Sequence, residues 1–461
     1  MTKQYKKTLF IFRRDLRLED NSGLIYALEH SHEVIACFIF NPVQLTDNAY
    51  RSDHCVQFML ESLQDLDEQL KKKGSHLYLF YGKQEDVVKK CIKNLGIDCV
   101  VINRDYTPFS KERDANLEKL SSQVDVVIWE DALLQAPENT LKSDGQPYSR
   151  FSPYHRNASS IQVKKPQTNS NTNYFHGFID FAKPMSICKE ILPNSFPHLA
   201  IKGGRKEALK ILKNLKNFKH YSDQRNFPEL DATTHLSAHL KFTTVSVREV
   251  YYAISEQFNK YHELIRGLYW RDFFHYIAFF SPYVFQGCFY KKFNDLSWSQ
   301  NTTNFLKWCE GKTGFPIVDA GMRELNSTGF MHNRVRMITA SFLIKDLHIS
   351  WQWGEKYFAQ KLIDYDPCVN NGNWQWVAST GCDAQPYFRI FNPWNQQKKF
   401  DPNCVYIKKW IPELIDVPPN ILHNWYIKKN HTTTQNYPSP ILEHETEAKK
   451  SLLKYRNINT F

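Results

Sequence analysis

Five short apolar runs within the first 130 residues, separated by stretches of helical periodicity, leave few folds open to this chain. Residues 7–12 (KTLFIF), 34–40 (VIACFIF), 77–81 (LYLFY), 99–102 (CVVI) and 124–129 (VDVVIW) are rich in aromatic and β-branched side chains and read as strands. Residues 22–29, 56–73 and 84–95 between them carry helical patterns. Apolar runs without alternation are buried on both faces, and strands separated by helices pair in parallel. The prediction is a five-stranded parallel sheet with helices in an α/β domain over residues 1–130.

The rest of the chain has a different chemistry. Residues 131–200 read as a connector, punctuated by Pro137, Gly145, Pro147, Pro153, Pro166, Pro184, Pro193 and Pro197, with a polar stretch at 159–173. From Gly203 the pattern is helical to the end, beginning with the amphipathic residues 206–218. Residues 201–461 are therefore expected to form an all-α domain. The chain is 461 residues long, enough for two or three domains with large cores. Aromatic residues make up 15% of it, and ten of the eleven tryptophans lie at or after Trp270, so the two halves bury different things.

Several function classes lose support at this stage. No G-x-G-x-x-G follows the first strand, so a nicotinamide-type dinucleotide site there is unsupported. The charged residues after that strand, Arg13, Arg14, Asp15 and Arg17, need be no more than a polar loop. Gly311-Lys312-Thr313 is not a phosphate loop, because Leu306 stands where its first glycine belongs; residues 313–316 read instead as the loop before a helix. Ten cysteines occur without a C-x-x-C pair, against zinc, iron–sulfur or a disulfide scaffold and in favour of reduced thiols. No metal site is expected. MTKQYKKT is too short and polar for a signal peptide, and no run of about eighteen apolar residues exists to span a membrane. A net charge of +11 suits a polyanionic partner.

Residues 329–380 concentrate groups that are costly to bury. Asn333 and Arg336 share one helix face, and Val335, Ile338 and Phe342 give that helix an apolar stripe. Asp364 and Asp366 precede Pro367, which disfavours helix at the residue before it. Asn370, Asn371 and Gly372 read as turn formers that continue the loop. Trp351, Trp353, Trp374 and Trp376 complete the stretch. Pattern alone supports equally an aromatic-lined ligand pocket and a tryptophan-rich core with solvated charges. Further back, Thr233, Thr234 and Ser237 surround a helix start. Free N–H groups and hydroxyls there suit a pyrophosphate, although spacing alone favours an ordinary helix cap.

The motifs are more specific than the pattern. GFMHNRVRMITASFLIKDL (329–347), YDPCVNNGNWQWVASTG (365–381) and DAQPYFRIFNP (383–393) closely resemble the flavin-binding domain of the photolyase/cryptochrome family. FIFRRDLRLEDN (10–21) resembles that family's opening strand and loop. The resemblance runs from about Leu9 to the C-terminus, is weakest in the connector, and is greatest to class I cyclobutane pyrimidine dimer photolyases. It implies a Rossmann-like α/β domain followed by a helical domain that holds FAD.

By that resemblance Asn370 lies near the reactive central nitrogen of the flavin. Arg336 and Asp364 pair beside its ring system, Asp366 lies at the polar edge, and Asn333 stands between flavin and substrate. Tyr221 is a wall of the cofactor site. Thr233, Thr234, His235, Leu236 and Ser237 match the phosphate cradle, with His235 where the family usually has Arg or Lys. Trp298, Trp351 and Trp374 match a relay that carries electrons from the surface to the flavin. Trp270 and Trp376 match the tryptophans that stack on the lesion. Arg271, Arg334, Met337 and Arg389 match positions near the damaged strand, and Trp270 and Arg271 also border the cofactor. Lys398, Lys399, Lys408 and Lys409 extend the rim or are solvated faces. NRDYTPFSKERD (103–114) resembles a segment bordering the antenna cleft, without deciding between methenyltetrahydrofolate, 8-hydroxydeazaflavin or neither.

The implied activity is that of a deoxyribodipyrimidine photo-lyase: light-driven splitting of pyrimidine dimers in DNA by an electron from reduced FAD. Six-four enzymes carry two histidines where this chain has Asn333 and Met337, which disfavours that chemistry. A signalling flavoprotein of the cryptochrome type, without repair, is the alternative; a DNA-binding flavoprotein without photochemistry is a third reading. One position departs from the dimer-repair pattern: Gly267, within LIRGLYWRDFF (264–274), stands where the family usually has a lesion-binding Glu. The expected protein is a monomer, cytoplasmic, and nucleoid-associated if bacterial.

Overall fold

The computed structural model describes residues 3–46, 48–433 and 436–459, which form two compact units. Unit 1 comprises Met1–Pro197, Ile201–Lys219 and Thr234–Pro282; unit 2 comprises His198–Ala200, His220–Thr233 and Tyr283–Phe461.

Unit 1 contains the expected sheet. Strands β1 (Tyr5–Phe12), β2 (Ser31–Phe40), β3 (Tyr78–Tyr81), β4 (Cys99–Asn103) and β5 (Asp125–Trp129) run parallel in the order β3-β2-β1-β4-β5. Phe10 of β1 pairs with Ala36 of β2 on one side and Val101 of β4 on the other. Helices α1 (Ser22–His30), α2 (Asp53–Lys71), α3 (Gln84–Leu95) and α4 (Pro108–Glu118) connect the strands. Their limits follow the local chemistry. Asn21, Ser52 and Thr107 each accept a backbone N–H at a helix start. Gly96 ends α3 in the left-handed conformation that costs glycine little.

Strand order reverses between β1 and β4, the place where sheets of this kind open a crevice. Here the protein's own polar side chains occupy it. Asn103 donates to Asp15 at 2.5 Å and to Asn21 at 2.8 Å, and Arg13 bonds both Asp114 and the Asn103 carbonyl. The charged loop after β1 is thus part of the interior.

Two helices from the part of the sequence expected to be all-α, α5 (Val247–Gln257) and α6 (Glu263–Phe280), belong to unit 1. Buried charge ties α5 to the sheet. The Arg17 guanidinium, 0% exposed, donates to Asp131 at 2.6 Å and to the Thr243 hydroxyl at 2.9 Å. Arg248 bridges Asp131 at 2.8 Å and Asp20 at 2.9 Å, and the Ser246 hydroxyl also bonds Asp20. Burial disfavours the charged form of Asp131, yet Arg17 and Arg248 together hold its carboxyl far below the usual range.

Unit 2 is helical, with α7 (Pro316–Thr328), α8 (Asn333–Ser341), α9 (Trp351–Lys361), α10 (Pro367–Ala378) and α11 (His444–Asn459) among its elements. Its core holds Trp308, Trp351, Trp374, Trp394 and Trp425 together with aliphatic side chains of α7 and α8. Past Phe342 the helix widens into a π-helical turn, Phe342–Asp346. The fully buried Lys345 in that turn donates to the Ser379 hydroxyl at 3.2 Å and lies over the Tyr455 ring. Burial, with the neighbouring Lys454, pushes its amine well below the ordinary lysine range.

The loop expected at Asn370, Asn371 and Gly372 is instead the middle of α10. Asp366 is extended, as the residue before a proline should be, but it serves as N-cap and Pro367 as the first helical residue. The proline starts the next helix. All ten cysteines are free thiols. No helix among the described residues is long and apolar enough to cross a membrane.

Candidate functional site

In unit 2 the motif residues converge on the start of α8, the start of α10 and the loop between α9 and α10. The backbone N–H of Ile363 donates to the Gly329 carbonyl at 2.8 Å, which brings that loop beside α8. Arg336 then makes a two-pronged bridge to Asp364, at 3.2 and 2.9 Å, while its Nε donates to the Met331 carbonyl at 2.7 Å. Such a bridge fixes a planar cation in one orientation. Asp366 accepts from the N–H groups of Cys368 and Val369 at 3.0 and 3.2 Å.

Asn370 is buried, and its Nδ2 donates to the Glu355 carbonyl at 3.0 Å. With the amide nitrogen so engaged, Oδ1 accepts no bond from any described residue. It is an oriented acceptor for an N–H brought by a ligand. Asn371, one residue on, is absorbed by structure: it donates to the Val284 carbonyl at 3.1 Å and accepts from Gln375 at 3.0 Å.

Glu355 was not anticipated as a site residue, although the sequence holds a signal. It falls on the buried stripe of α9 with Trp351, Gly354 and Phe358, where an acid is out of place. Burial pushes its carboxyl up to about 7, against the opposing bond from Asn371. Glu355 in the unfolded chain titrates near 4.5, so the folded protein binds the extra proton between those values. Its contribution to stability is therefore lost as pH rises from 4.5 to 7. Glu355→Gln is expected to unfold like the parent at pH 4 and to be more stable by about 3 kcal/mol above pH 8. Denaturant titrations across that range test this, and a difference independent of pH would contradict it.

The tryptophans expected to form a relay share the unit 2 core, Trp351 and Trp374 inside it and Trp298 against its edge. Two contacts order them. Gly354 clears space for Trp374: a Cβ there would fall 2.2 Å from its ring, so the indole lies directly on α9, one turn after Trp351. Ser299 pairs with Ile349 as an isolated parallel bridge, and its N–H donates to the His348 carbonyl at 2.8 Å. That pairing fixes the segment of Trp298 beside the start of α9. Trp374 makes edge contacts with Phe358 and Trp308 at centroid distances of 4.9 and 6.3 Å.

The expected strand-contacting residues of unit 2 differ in availability. Asn333 opens α8 exposed, its amide 3.9 Å from the Met337 sulfur. Trp376 is half-buried against the core. Arg389 is exposed at a turn beside Phe388, itself 64% exposed. Lys398, Lys399 and Lys409 are exposed and Lys408 is half-buried. Arg334 is committed: it donates to the Asn226 side chain at 2.8 Å and lies over the Phe400 ring. Tyr221 opens a single helical turn, and Thr233 is half-buried.

In unit 1, Thr234, His235, Leu236 and Ser237 form a turn. The helix expected after them has only five residues, Ser237–Lys241, with Leu236 as N-cap and no side-chain cap bond. His235 adopts a left-handed conformation, φ 53°, and the Thr234 hydroxyl accepts the Leu236 N–H at 3.5 Å. On α6, Trp270 stacks on Phe151 at 3.7 Å with a 7° interplanar angle. Arg271, expected near the damaged strand, spends its guanidinium internally on the carbonyls of Ala132 and Leu240 and on Asp272. Gly267 lies one turn before Trp270 and Arg271, and nothing stands within 4 Å of a Cβ added there.

These donors fit a flavin. Asn370 offers a fixed carbonyl acceptor, and Arg336 and Asp364 are locked as a pair one loop away. Comparison with known proteins agrees. The model for the FAD binding domain of DNA photolyase matches residues 264–457, and the DNA photolyase model matches residues 8–170. The deoxyribodipyrimidine photo-lyase of Alkalihalophilus pseudofirmus is 36% identical over 465 residues, covering 96% of each chain. An archaeal photolyase from Sulfolobus tokodaii, solved with two FAD molecules, superposes with a TM-score of 0.88 at 41% identity, over 98% of this chain and 100% of its own. A cryptochrome of Synechocystis superposes with 0.89 at 28% identity, over 98% and 100%. With both family models placed in order and relatives matched end to end, the chain belongs to the DNA photolyase/cryptochrome family and carries its FAD-binding domain.

Proposed function

We propose that this protein repairs cyclobutane pyrimidine dimers in DNA with light. The observation that carries the reading is Asn370, on the helix that also bears Trp374 and Trp376: its Nδ2 is pinned to the Glu355 carbonyl at 3.0 Å, which leaves Oδ1 with no bond from any described residue. FAD, when bound and reduced, supplies the photoexcited electron that splits the dimer.

The chain's own residues do the rest. Arg336 and Asp364 set the charge beside the flavin ring. Thr233, Thr234, His235, Leu236 and Ser237 hold its phosphates, the left-handed turn at His235 presenting backbone groups in place of the family's basic side chain. Tyr221 walls the site. Trp270 and Trp376 stack on the dimer once it has left the duplex, and Asn333 and Met337 border it. Arg389 and the lysines at 398, 399, 408 and 409 contact phosphates; Arg334 and Arg271 position neighbours more than they bind strand. Trp298, Trp351 and Trp374 return electrons to an oxidised flavin. Binding of a flipped lesion depends on aromatic walls, and Trp376→Ala is expected to weaken binding to dimer-containing DNA by roughly 1–3 kcal/mol.

Blue light on dimer-containing DNA, against a dark control, tests the activity. Loss of dimers only in light supports repair; no loss from fully reduced, FAD-loaded protein supports the signalling alternative. Gly267→Glu sharpens the test. The open space at Gly267 admits the carboxylate that the family places there, and its quantum yield of repair is expected to exceed that of the parent at equal FAD content. Equal yields would mean that another group already does that work.

A further inference from the structure

The outer end of the tryptophan series is covered by a cation. Lys454 of α11 places its Nζ 4.2 Å from the centre of the Trp298 ring. No carboxylate among the described residues lies within ion-pair distance of that ammonium. Glu447, two turns before Lys454 on α11, is engaged by His348 at 2.8 Å and by Lys450 at 2.8 Å. Asp295 and His348 face Lys454 across a cavity of about 400 Å³ that Lys450 also lines. The buried amine of Lys345 is close enough for its charge and that of Lys454 to repel.

We propose that Lys454 controls how readily Trp298 is oxidised, and so gates the outward step of the tryptophan relay. The inference rests on the relay reading given above. An ammonium over an indole face is attracted to the neutral ring. Removing an electron from that ring turns the attraction into repulsion between two like charges. In the gated step one electron passes from Trp298 to the vacancy on Trp351: Trp298 is oxidised, Trp351 is restored, and no bond forms or breaks. The charged lysine opposes this step, and the neutral lysine does not. Lys454 is thus a positioning residue for charge; it makes no contact with substrate.

The proton on Lys454 has a route out, because the amine borders the cavity. Burial lowers its affinity for that proton to about 8. Among the facing groups, Lys450 and His348 hold Glu447 below the ordinary carboxylate range against its burial, burial lowers His348 below its ordinary range, and burial together with Lys454 lowers Lys345 well below the ordinary lysine range.

Light-driven reduction of oxidised flavin, with an external donor in excess, is measured from pH 6.5 to 10 in the full-length holoprotein. The parent is expected to speed up about tenfold with a midpoint near pH 8, the size expected from removing a like charge about 4 Å away. Lys454→Met should be fast and flat across the range, and Lys454→Arg slow and flat. NMR titration of the Lys454 side chain should give the same midpoint independently of any light reaction, and flavin content reports that each variant is folded. If Lys454→Met keeps the parent's rate and pH profile while Trp298→Phe abolishes photoreduction, the relay stands and the gate is overturned. If Trp298→Phe reduces at the parent's rate, the relay reading fails and the inference falls with it.

Discussion

Trp374→Phe is expected to abolish light-driven reduction of oxidised FAD and to leave dimer repair by chemically reduced protein near the parent's level. The two reactions use the indole differently. Repair moves an electron between flavin and lesion and back, and requires nothing of Trp374. Photoreduction needs an oxidisable ring beside the flavin, and phenylalanine is far harder to oxidise than tryptophan. Trp374 sits one helical turn after Asn370 on α10 and lies on α9 where Gly354 makes room. Phenylalanine fits the same space with a void on one side, so folding should survive; flavin content and thermal unfolding check this. Normal photoreduction in the variant would remove Trp374 from the relay.

Asp131→Ala is expected to destabilise unit 1 by about 3–5 kcal/mol, because it strips a buried carboxylate from two buried guanidiniums. Arg17 is fully buried and has no second carboxylate at ion-pair distance among the described residues, while Arg248 keeps Asp20. The lost partner leaves a charge that water cannot reach. At roughly 2–4 °C per kcal/mol for a unit of this size, the melting temperature should fall by about 10 °C. Thermal unfolding followed by near-ultraviolet circular dichroism measures it. A fall of less than about 2 °C would show that water enters the network and solvates Arg17. Replacing Arg17 and Asp131 together by Met and Leu should recover much of the loss, since an apolar pair leaves no charge uncompensated.

The expected strands lie within a few residues of those observed because the information is local. Continuous apolar runs such as VIACFIF permit burial on both faces and little else. The caps at Asn21, Ser52 and Thr107 are set by neighbouring residues. The motif residues of α8 and α10 were legible for a different reason: NRVRM and DPCVNNGNWQW are distinctive strings, and resemblance points to them without any knowledge of distance. The same string misled at Asn370, Asn371 and Gly372. Turn-forming composition suggested a loop, while the Asp366 cap and Pro367 at the first turn made a helix that carries them on defined faces.

What the sequence determined by itself is the sheet, the helical character of the second half and the free thiols. Each depends on short-range periodicity, composition or a contiguous motif. Only the tertiary structure decided which groups face which. It directed the Asn370 amide to the Glu355 carbonyl, made Glu355 a buried acid, and spent Arg271 on internal carbonyls. It placed α5 and α6 in the unit of the sheet, through Asp20 and Asp131, residues 228 and 117 positions from Arg248. It also set Lys454 over Trp298, 156 residues apart in sequence. Such pairings depend on the burial of charge and on ring contacts between distant segments. Their energies arise only when the chain has closed around them, so no local pattern could announce them.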